Sequence, residues 1–172
     1  MSQPGTTPGH AATESPGSTP VPEAAVVARS GRLHHTEIWV RDVEASRATI
    51  GWLLEQVGYV PGEPWANGTS YQGAHDYIVL ESGPDVLPVA HRRCAPGVNH
   101  LAFAAGSRKR VDGIASAAME RGFRLLFADA HPFAGGPRHY AAYLADPDGF
   151  EFELVADESN GLPATGRDSV GC

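Results

Sequence analysis

The chain has few cysteines, no long hydrophobic run and little positive charge. Its two cysteines, Cys94 and Cys172, cannot form a disulfide framework and lack the CxxC spacing of a thiolate metal site. We expect reduced thiols, which fit a cytosolic compartment. The apolar runs are much shorter than the ~20 residues that cross a membrane, and no basic segment before an apolar one indicates a secretory signal. We therefore expect a cytoplasmic protein with no membrane partner.

The charge balance also argues against one class of partner. The formal net charge is −7, and the basic residues are scattered, whereas a phosphate backbone needs a basic stripe. Nucleic acid is therefore not expected, and a small-molecule substrate is the natural alternative. The 172 residues allow one ordinary domain with tails. Residues 1–30 are rich in Pro, Gly, Ser and Thr and lack aromatic side chains, which predicts a disordered tail. We expect a domain over 31–158 and a flexible tail over 159–172.

Between the tails, one order of predicted elements occurs twice. A strand (32–40) leads into a helix capped by Asp42, followed by two short strands within 61–73 and a strand over 77–80. The second half gives a strand (98–104), a helix after Ser107, and strands at 124–128, 140–145 and 151–156. This repeat predicts an α+β fold in which two tandem βαβββ modules form a curved, incompletely closed sheet around a metal site.

Strand alternation assigns faces to the candidate site residues. Side chains alternate along a strand, so Ile38 and Val40 face the helix while His35, Glu37 and Trp39 face a cavity. The same logic places three further candidates in the cavity: Glu81, His100 and Glu153. Symmetry is expected to place His35 beside His100 and Glu81 beside Glu153. Lone buried carboxylates are costly, and a divalent ion would remove that cost.

Three segments resemble a known family: 35–42 (HTEIWVRD), 99–103 (NHLAF) and 146–154 (DPDGFEFEL). They are similar to the vicinal-oxygen-chelate superfamily, which includes glyoxalase I, methylmalonyl-CoA epimerase, fosfomycin-modifying enzymes, extradiol dioxygenases and bleomycin-resistance proteins. The resemblance spans about residues 32–157.

The resemblance implies a set of metal ligands on the first and last strands of each module. Carried over, these are His35, Glu81, His100 and Glu153, around one Mn, Fe, Co, Ni or Zn ion. If Glu81 is not a ligand, the remaining triad resembles the dioxygenase and fosfomycin-enzyme pattern, which favours iron or manganese. Many members form homodimers, and some build each site from two chains, so a homodimer is expected.

Other residues are candidates for catalysis or for contact with substrate. Glu37 and Glu153 are candidate catalytic carboxylates, and Glu37 is either a general base or a group that only orients a ligand. The loop over 128–140 is either a lid or an ordinary connection. The candidate substrate contacts are Trp39, Tyr71, Tyr77, Phe127, His131 and His139. Core packing is the alternative for the first four, and His131 and His139 belong to the loop.

The resemblance leaves several activities open. A metal-dependent lyase or isomerase of the glyoxalase type, acting on a substrate chelated through adjacent oxygens, is the first prediction. An extradiol-type dioxygenase or a fosfomycin-type transferase could use the His/His/Glu triad. A non-catalytic antibiotic-binding resistance protein would use the cleft without a metal, and metal content distinguishes it from the enzymes.

Overall fold

The computed structural model describes residues 31–157, and from Leu33 onward these belong to one compact unit. The two predicted tails lie outside the described residues. Within residues 31–157 no helix has the length and apolar character needed to cross a membrane. The expectation of reduced thiols is wrong for Cys94, which is disulfide-bonded.

The first module forms a four-stranded mixed sheet. Its strands are β1 (His35–Trp39), β2 (Val60–Pro61), β3 (Gly68–Gln72) and β4 (Tyr77–Glu81), in the order β1-β4-β3-β2. β1 is parallel to β4, while β3 is antiparallel to both β4 and β2. A crossover must join the parallel pair, and the helix that follows β1 provides it.

That helix, α1, is one run of three segments: Val43–Ser46, a π-helical turn at Arg47–Gly51, and Trp52–Gln56. The Asp42 side chain accepts a hydrogen bond from the Ala45 backbone N–H, as the sequence predicted. A side chain at Gly51 would overlap the Tyr71 hydroxyl. The glycine therefore lets β3 approach α1 closely.

The second module repeats this plan. It contains β5 (His100–Gly106), α2 (Arg108–Glu120), β6 (Arg124–Leu125), β7 (Ala141–Ala145) and β8 (Glu151–Ala156), in the sheet order β5-β8-β7-β6. The two-module α+β fold without a closed barrel is confirmed. The predicted strand at 124–128 is shorter than expected and ends at Leu125. Phe127 has a φ of +51°, a left-handed conformation that cannot continue a strand.

The helix-facing side chains of both sheets meet in one hydrophobic core. Ile38 and Leu80 from the first sheet and Phe152 and Leu154 from the second are each at least nine-tenths buried in this cluster. Alternation thus leaves the opposite face of each sheet to the candidate site residues. On β1 that face is open, because His35, Glu37 and Trp39 are exposed.

Candidate functional site

The centre of the candidate site is a contact between His100 and Glu153. β5 and β8 are parallel neighbours, with His100 opposite Glu151 and Ala102 opposite Glu153. The His100 Nε2 atom lies 3.1 Å from Glu153 Oε2, and Glu153 is only 5% exposed. The fold therefore joins two of the four predicted ligands.

A hydrogen-bonded asparagine fixes the orientation of the His100 ring. The Asn99 side-chain N–H donates to the Arg93 carbonyl over 2.9 Å, which turns Asn99 Oδ1 toward His100 Nδ1 at 2.8 Å. Because this oxygen only accepts, Nδ1 must carry a proton. Beside the Glu153 carboxylate, Nε2 donates a hydrogen bond when the ring is an imidazolium. In the neutral ring Nε2 presents a lone pair instead, and a cation between the two groups would then make the contact favourable.

The other oxygen of Glu153 contacts a residue from the loop before β7. His139 Nε2 is hydrogen-bonded to Glu153 Oε1, and Tyr143 lies directly opposite Glu153 in the β7–β8 ladder. Burial alone would raise the pKa of Glu153, but hydrogen bonds with His100, His139 and Tyr143 lower it to about 2. Glu153 is therefore an anion at neutral pH.

The first sheet places His35 in a different setting. The His35 ring stacks on Tyr77, with ring centroids 4.9 Å apart, and its Nδ1 is 2.9 Å from the Nδ1 of His34. Two residues further on, the Trp39 indole donates to Glu37 Oε1 over 2.6 Å. Within residues 31–157 no three His, Cys, Asp or Glu side chains are arranged as a complete metal site.

The strand register does not give Glu81 the position expected from symmetry. His35 is opposite Tyr77, Glu37 opposite Val79 and Trp39 opposite Glu81. The first-sheet equivalent of Glu153 is therefore Val79, and the predicted equivalence of Glu81 and Glu153 is wrong. Glu81 shares a face with His35 but lies four residues along the ladder, ~13 Å at the usual rise of a strand.

The remaining predicted substrate contacts occupy varied positions. Tyr71 is 2% exposed and belongs to the hydrophobic core, which corrects its predicted place in the cavity. His131 Nδ1 lies 3.2 Å from the Ala141 carbonyl oxygen. Phe127 meets the Tyr143 ring edge-on and forms a small second cluster with Leu126 and other apolar residues of this region. The loop between β6 and β7 thus packs on the second sheet near Glu153.

Comparisons with known proteins identify the family. No family model matches the chain. The uncharacterized protein YqjT of Bacillus subtilis (strain 168) is 42% identical over 125 residues, which covers 72% of this chain and 98% of YqjT. The crystal structure of a candidate glyoxalase from Bacillus halodurans has a TM-score of 0.71 and 42% identity, covering 76% of this chain and 99% of that one. The chain belongs to the vicinal-oxygen-chelate superfamily.

A more distant structure shows the same fold. A glyoxalase/bleomycin resistance protein from Albidiferax ferrireducens T118 is 24% identical with a TM-score of 0.59, over 73% of this chain and 98% of that one. Vicinal-oxygen-chelate proteins generally bind a divalent metal ion. The family predicted from the three sequence segments is confirmed.

The sequence patterns did not identify three polar residues around the candidate site. Tyr143 could have been found by counting back from the DPDG sequence at 146–149, which is typical of a tight turn and fixes the pairing of Tyr143 with Glu153. Asn99 precedes a predicted ligand, but its sequence position does not show where its amide points. Arg93 forms a 2.7 Å ion pair with Glu151, which is 4% exposed, and no periodic pattern marks Arg93. Burial raises the pKa of Glu151, while the charge of Arg93 opposes that rise.

Proposed function

We propose that the chain is a divalent-metal-dependent enzyme, a lyase or isomerase of the glyoxalase type that acts on a small substrate through two adjacent oxygens. The observation that carries this proposal is the Asn99–His100–Glu153 series. When the His100 ring is neutral, this series presents an imidazole lone pair and a buried carboxylate to the same point. Histidines that ligate metals commonly donate their other ring N–H to a fixed acceptor in this way.

We propose that His35, His100 and Glu153 are the ligands. Two imidazoles and a carboxylate suit Mn, Fe, Co, Ni or Zn, so the donor set fits the group that the superfamily generally binds. Such an ion supplies Lewis-acid stabilisation of negative charge that develops on a substrate oxygen. The register argues against Glu81 as a fourth ligand, because Val79 takes the place equivalent to Glu153.

Glu37 is the proposed proton acceptor. It lies on the same face of β1 as His35, two residues along, and its Oε1 is occupied by the Trp39 indole N–H. Oε2 can then take a proton from substrate carbon, and the indole holds the carboxylate in place. Glu153 is less suited to this role, because His100, His139 and Tyr143 already hydrogen-bond to it and stabilise its anion.

The register of β1 and β4, which argues against Glu81 as a ligand, also favours a second candidate function. A triad without Glu81 resembles the pattern of extradiol dioxygenases and fosfomycin-modifying enzymes more than a four-ligand glyoxalase site. If the bound metal is iron, consumption of dioxygen with a catechol would assign the dioxygenase class. Proton exchange at the carbon beside a ketone, without uptake of dioxygen, would assign the lyase or isomerase class.

Metal content tests the proposal directly. Purified tag-free protein, reconstituted separately with Mn, Fe, Co, Ni and Zn, is analysed by mass spectrometry beside His35→Ala and Glu153→Gln. His75→Ala is the matched control, because His75 is an exposed loop histidine. We expect about one ion per chain in wild type and in the control, and loss in both ligand variants. Folded wild-type protein that takes up none of the five metals would refute a metal enzyme.

A further inference from the structure

A cavity lies beside the proposed site, next to the linker that joins the two modules. We define the linker as residues 82–99. Together with parts of β1, β5 and β8 it encloses a volume of about 550 Å³. Pockets that hold small molecules typically measure ~300–1,000 Å³. The space is therefore sufficient for a substrate group much larger than two oxygen atoms.

The cavity is continuous with the proposed catalytic residues. Glu37 and Trp39 from β1 and His100 from β5 stand in its wall. A molecule bound there can therefore reach both the proposed proton acceptor and a proposed ligand. The apolar part of the lining includes Ile38, Val86, Leu87, Val89, Val98 and Phe150.

The charges around the cavity do not select for an anionic ligand. Its wall contains three carboxylates, those of Glu37, Asp148 and Glu151, and two guanidinium groups, those of Arg41 and Arg92. Arg41 is already paired with Asp148, and Glu151 is paired with Arg93, which lies outside the lining. The wall therefore has no excess of positive charge that would attract a phosphonate or carboxylate.

The apolar residues of the linker are unusually open to solvent. Leu87, Val89 and Val98 are 71%, 63% and 70% exposed, and Trp39 across the cavity is 52% exposed. Single exposed apolar side chains are common, whereas a group of them around a concave site is typical of a binding surface. A bound apolar group would cover part of this surface and remove it from water.

We infer that the cavity binds an uncharged alkyl or aryl group of the substrate. The preferred ligand is a neutral molecule whose adjacent oxygens reach His100 and Glu37 while its apolar group lies against the linker. The identity of this ligand as the substrate rests on the proposed function. The cavity's preference for an uncharged apolar group does not, since the linker residues that create it are not proposed metal ligands.

Three catechols that differ only at ring position 4 provide the test. Catechol, 4-tert-butylcatechol and 3,4-dihydroxybenzoate offer the same two oxygens with no substituent, an apolar group or a carboxylate. Their affinities for metal-free full-length protein are measured by calorimetry under nitrogen. We expect 4-tert-butylcatechol to bind at least roughly tenfold more tightly than either of the others, since it buries several additional methyl carbons.

Linker variants show whether the cavity is responsible. Leu87→Ser and Val98→Ser should each reduce the preference for the tert-butyl compound several-fold, because each replaces an apolar wall by a hydroxyl. Leu33→Ser and Val60→Ser are matched controls, since these residues are 62% and 64% exposed and do not line the cavity. The preference should persist in both controls. Equal affinity for the three catechols, or a preference that the linker variants leave intact, would overturn the inference.

The two proposals fail in different ways. A wild-type protein that takes up no metal but keeps the tert-butyl preference would refute the metal enzyme and support the cavity. A protein that binds one metal but shows no preference among the catechols would support the metal site and refute the cavity. Glu153→Gln should lose metal while keeping the preference measured in metal-free protein.

Discussion

At the scale of single residues, the site depends on side chains that orient other side chains. Asn99 Oδ1 accepts a hydrogen bond from Nδ1 of His100. The Asn99 side-chain N–H in turn donates to the backbone carbonyl of Arg93. The Trp39 indole N–H likewise orients the Glu37 carboxylate by a hydrogen bond. Such contacts cannot be identified from residue type alone, because an exposed asparagine before a strand is ordinarily a turn residue.

Removing the Asn99 amide should weaken metal binding without unfolding the protein. In Asn99→Ala the His100 ring loses the acceptor that fixes its tautomer, and groups of this kind typically contribute 10–100-fold to metal affinity. We expect a loss in that range, measured by competition with a chelator of known affinity. Asn67→Ala is the control, because Asn67 contributes its backbone carbonyl, which accepts from the Ser82 N–H. Unchanged affinity in Asn99→Ala would mean that the asparagine does not orient a ligand.

Asp146 should give the protein a distinctive pH dependence. Burial raises the pKa of Asp146 from 3.8 to about 6, and the backbone N–H groups of Phe150 and Asp148 only partly oppose this. Between these two values the folded chain binds the proton more tightly than the unfolded chain does, so stability falls as the pH rises from about 4 to 6.

Asp146→Asn should remove this component while keeping an acceptor for the same backbone groups. The free energy of unfolding of wild type, relative to Asp146→Asn, should fall by ~2–3 kcal/mol between pH 4 and pH 7. Urea unfolding of both proteins across this range measures the difference. Parallel stability curves would show that Asp146 has an ordinary pKa in the folded protein.

At the scale of elements, the correct predictions are those that depend on local sequence patterns. β8 has the predicted bounds, and Asp42 caps α1 as expected. The β7–β8 register also follows from sequence, because a turn of known length at 146–149 lets the pairs be counted. β1 and β4 are instead joined by a long crossover that offers no turn to count from. Glu81 was therefore assigned correctly to the same face of the sheet as His35, but at the wrong position along β4.

Other errors arose where a segment has no periodic pattern. Tyr71 lies on a short strand with Gly68 and Ser70, whose alternation is too weak to show which face is buried. The loop over 126–140 contains His139, but nothing in its sequence indicates that this histidine, rather than His131, contacts Glu153. Both positions are set by tertiary packing, which overrides local preference.

The β7–β8 turn should be more sensitive to substitution than an open helical position. Gly149 has a φ of +94°, and a Cβ there would lie 2.6 Å from the His91 carbonyl oxygen in the linker. Gly149→Ala should therefore lower the free energy of unfolding by ~2 kcal/mol or more. Gly113 lies within α2 with no atom within 4 Å of an added Cβ, so Gly113→Ala should stabilise by ~0.5–1 kcal/mol. Chemical unfolding of the two variants tests both signs, and a neutral Gly149→Ala would mean that the turn and linker move apart easily.

At the scale of the whole molecule, the two modules share their helix-side core but differ on the opposite faces. The second sheet covers Glu153 with its own loop, whereas the β1 face bearing His35 is open. β1 and β5 are also outer strands of their sheets. We propose that the chain forms a homodimer. The cavity that holds both Glu37 and His100 favours a site within one chain, and the alternative is a site that the partner's His35 completes.

A mixed dimer of two defective chains would distinguish these two arrangements. His35→Ala and Glu153→Gln chains carrying different tags are co-expressed, and the heterodimer is isolated by purification on both tags. If each site combines the first module of one chain with the second module of the other, one of the two sites contains both substitutions and the other contains neither. The heterodimer should then bind one metal ion, whereas each homodimeric variant binds none. If each site lies within one chain, both sites of the heterodimer carry a substitution, and it should be as metal-free as its parents.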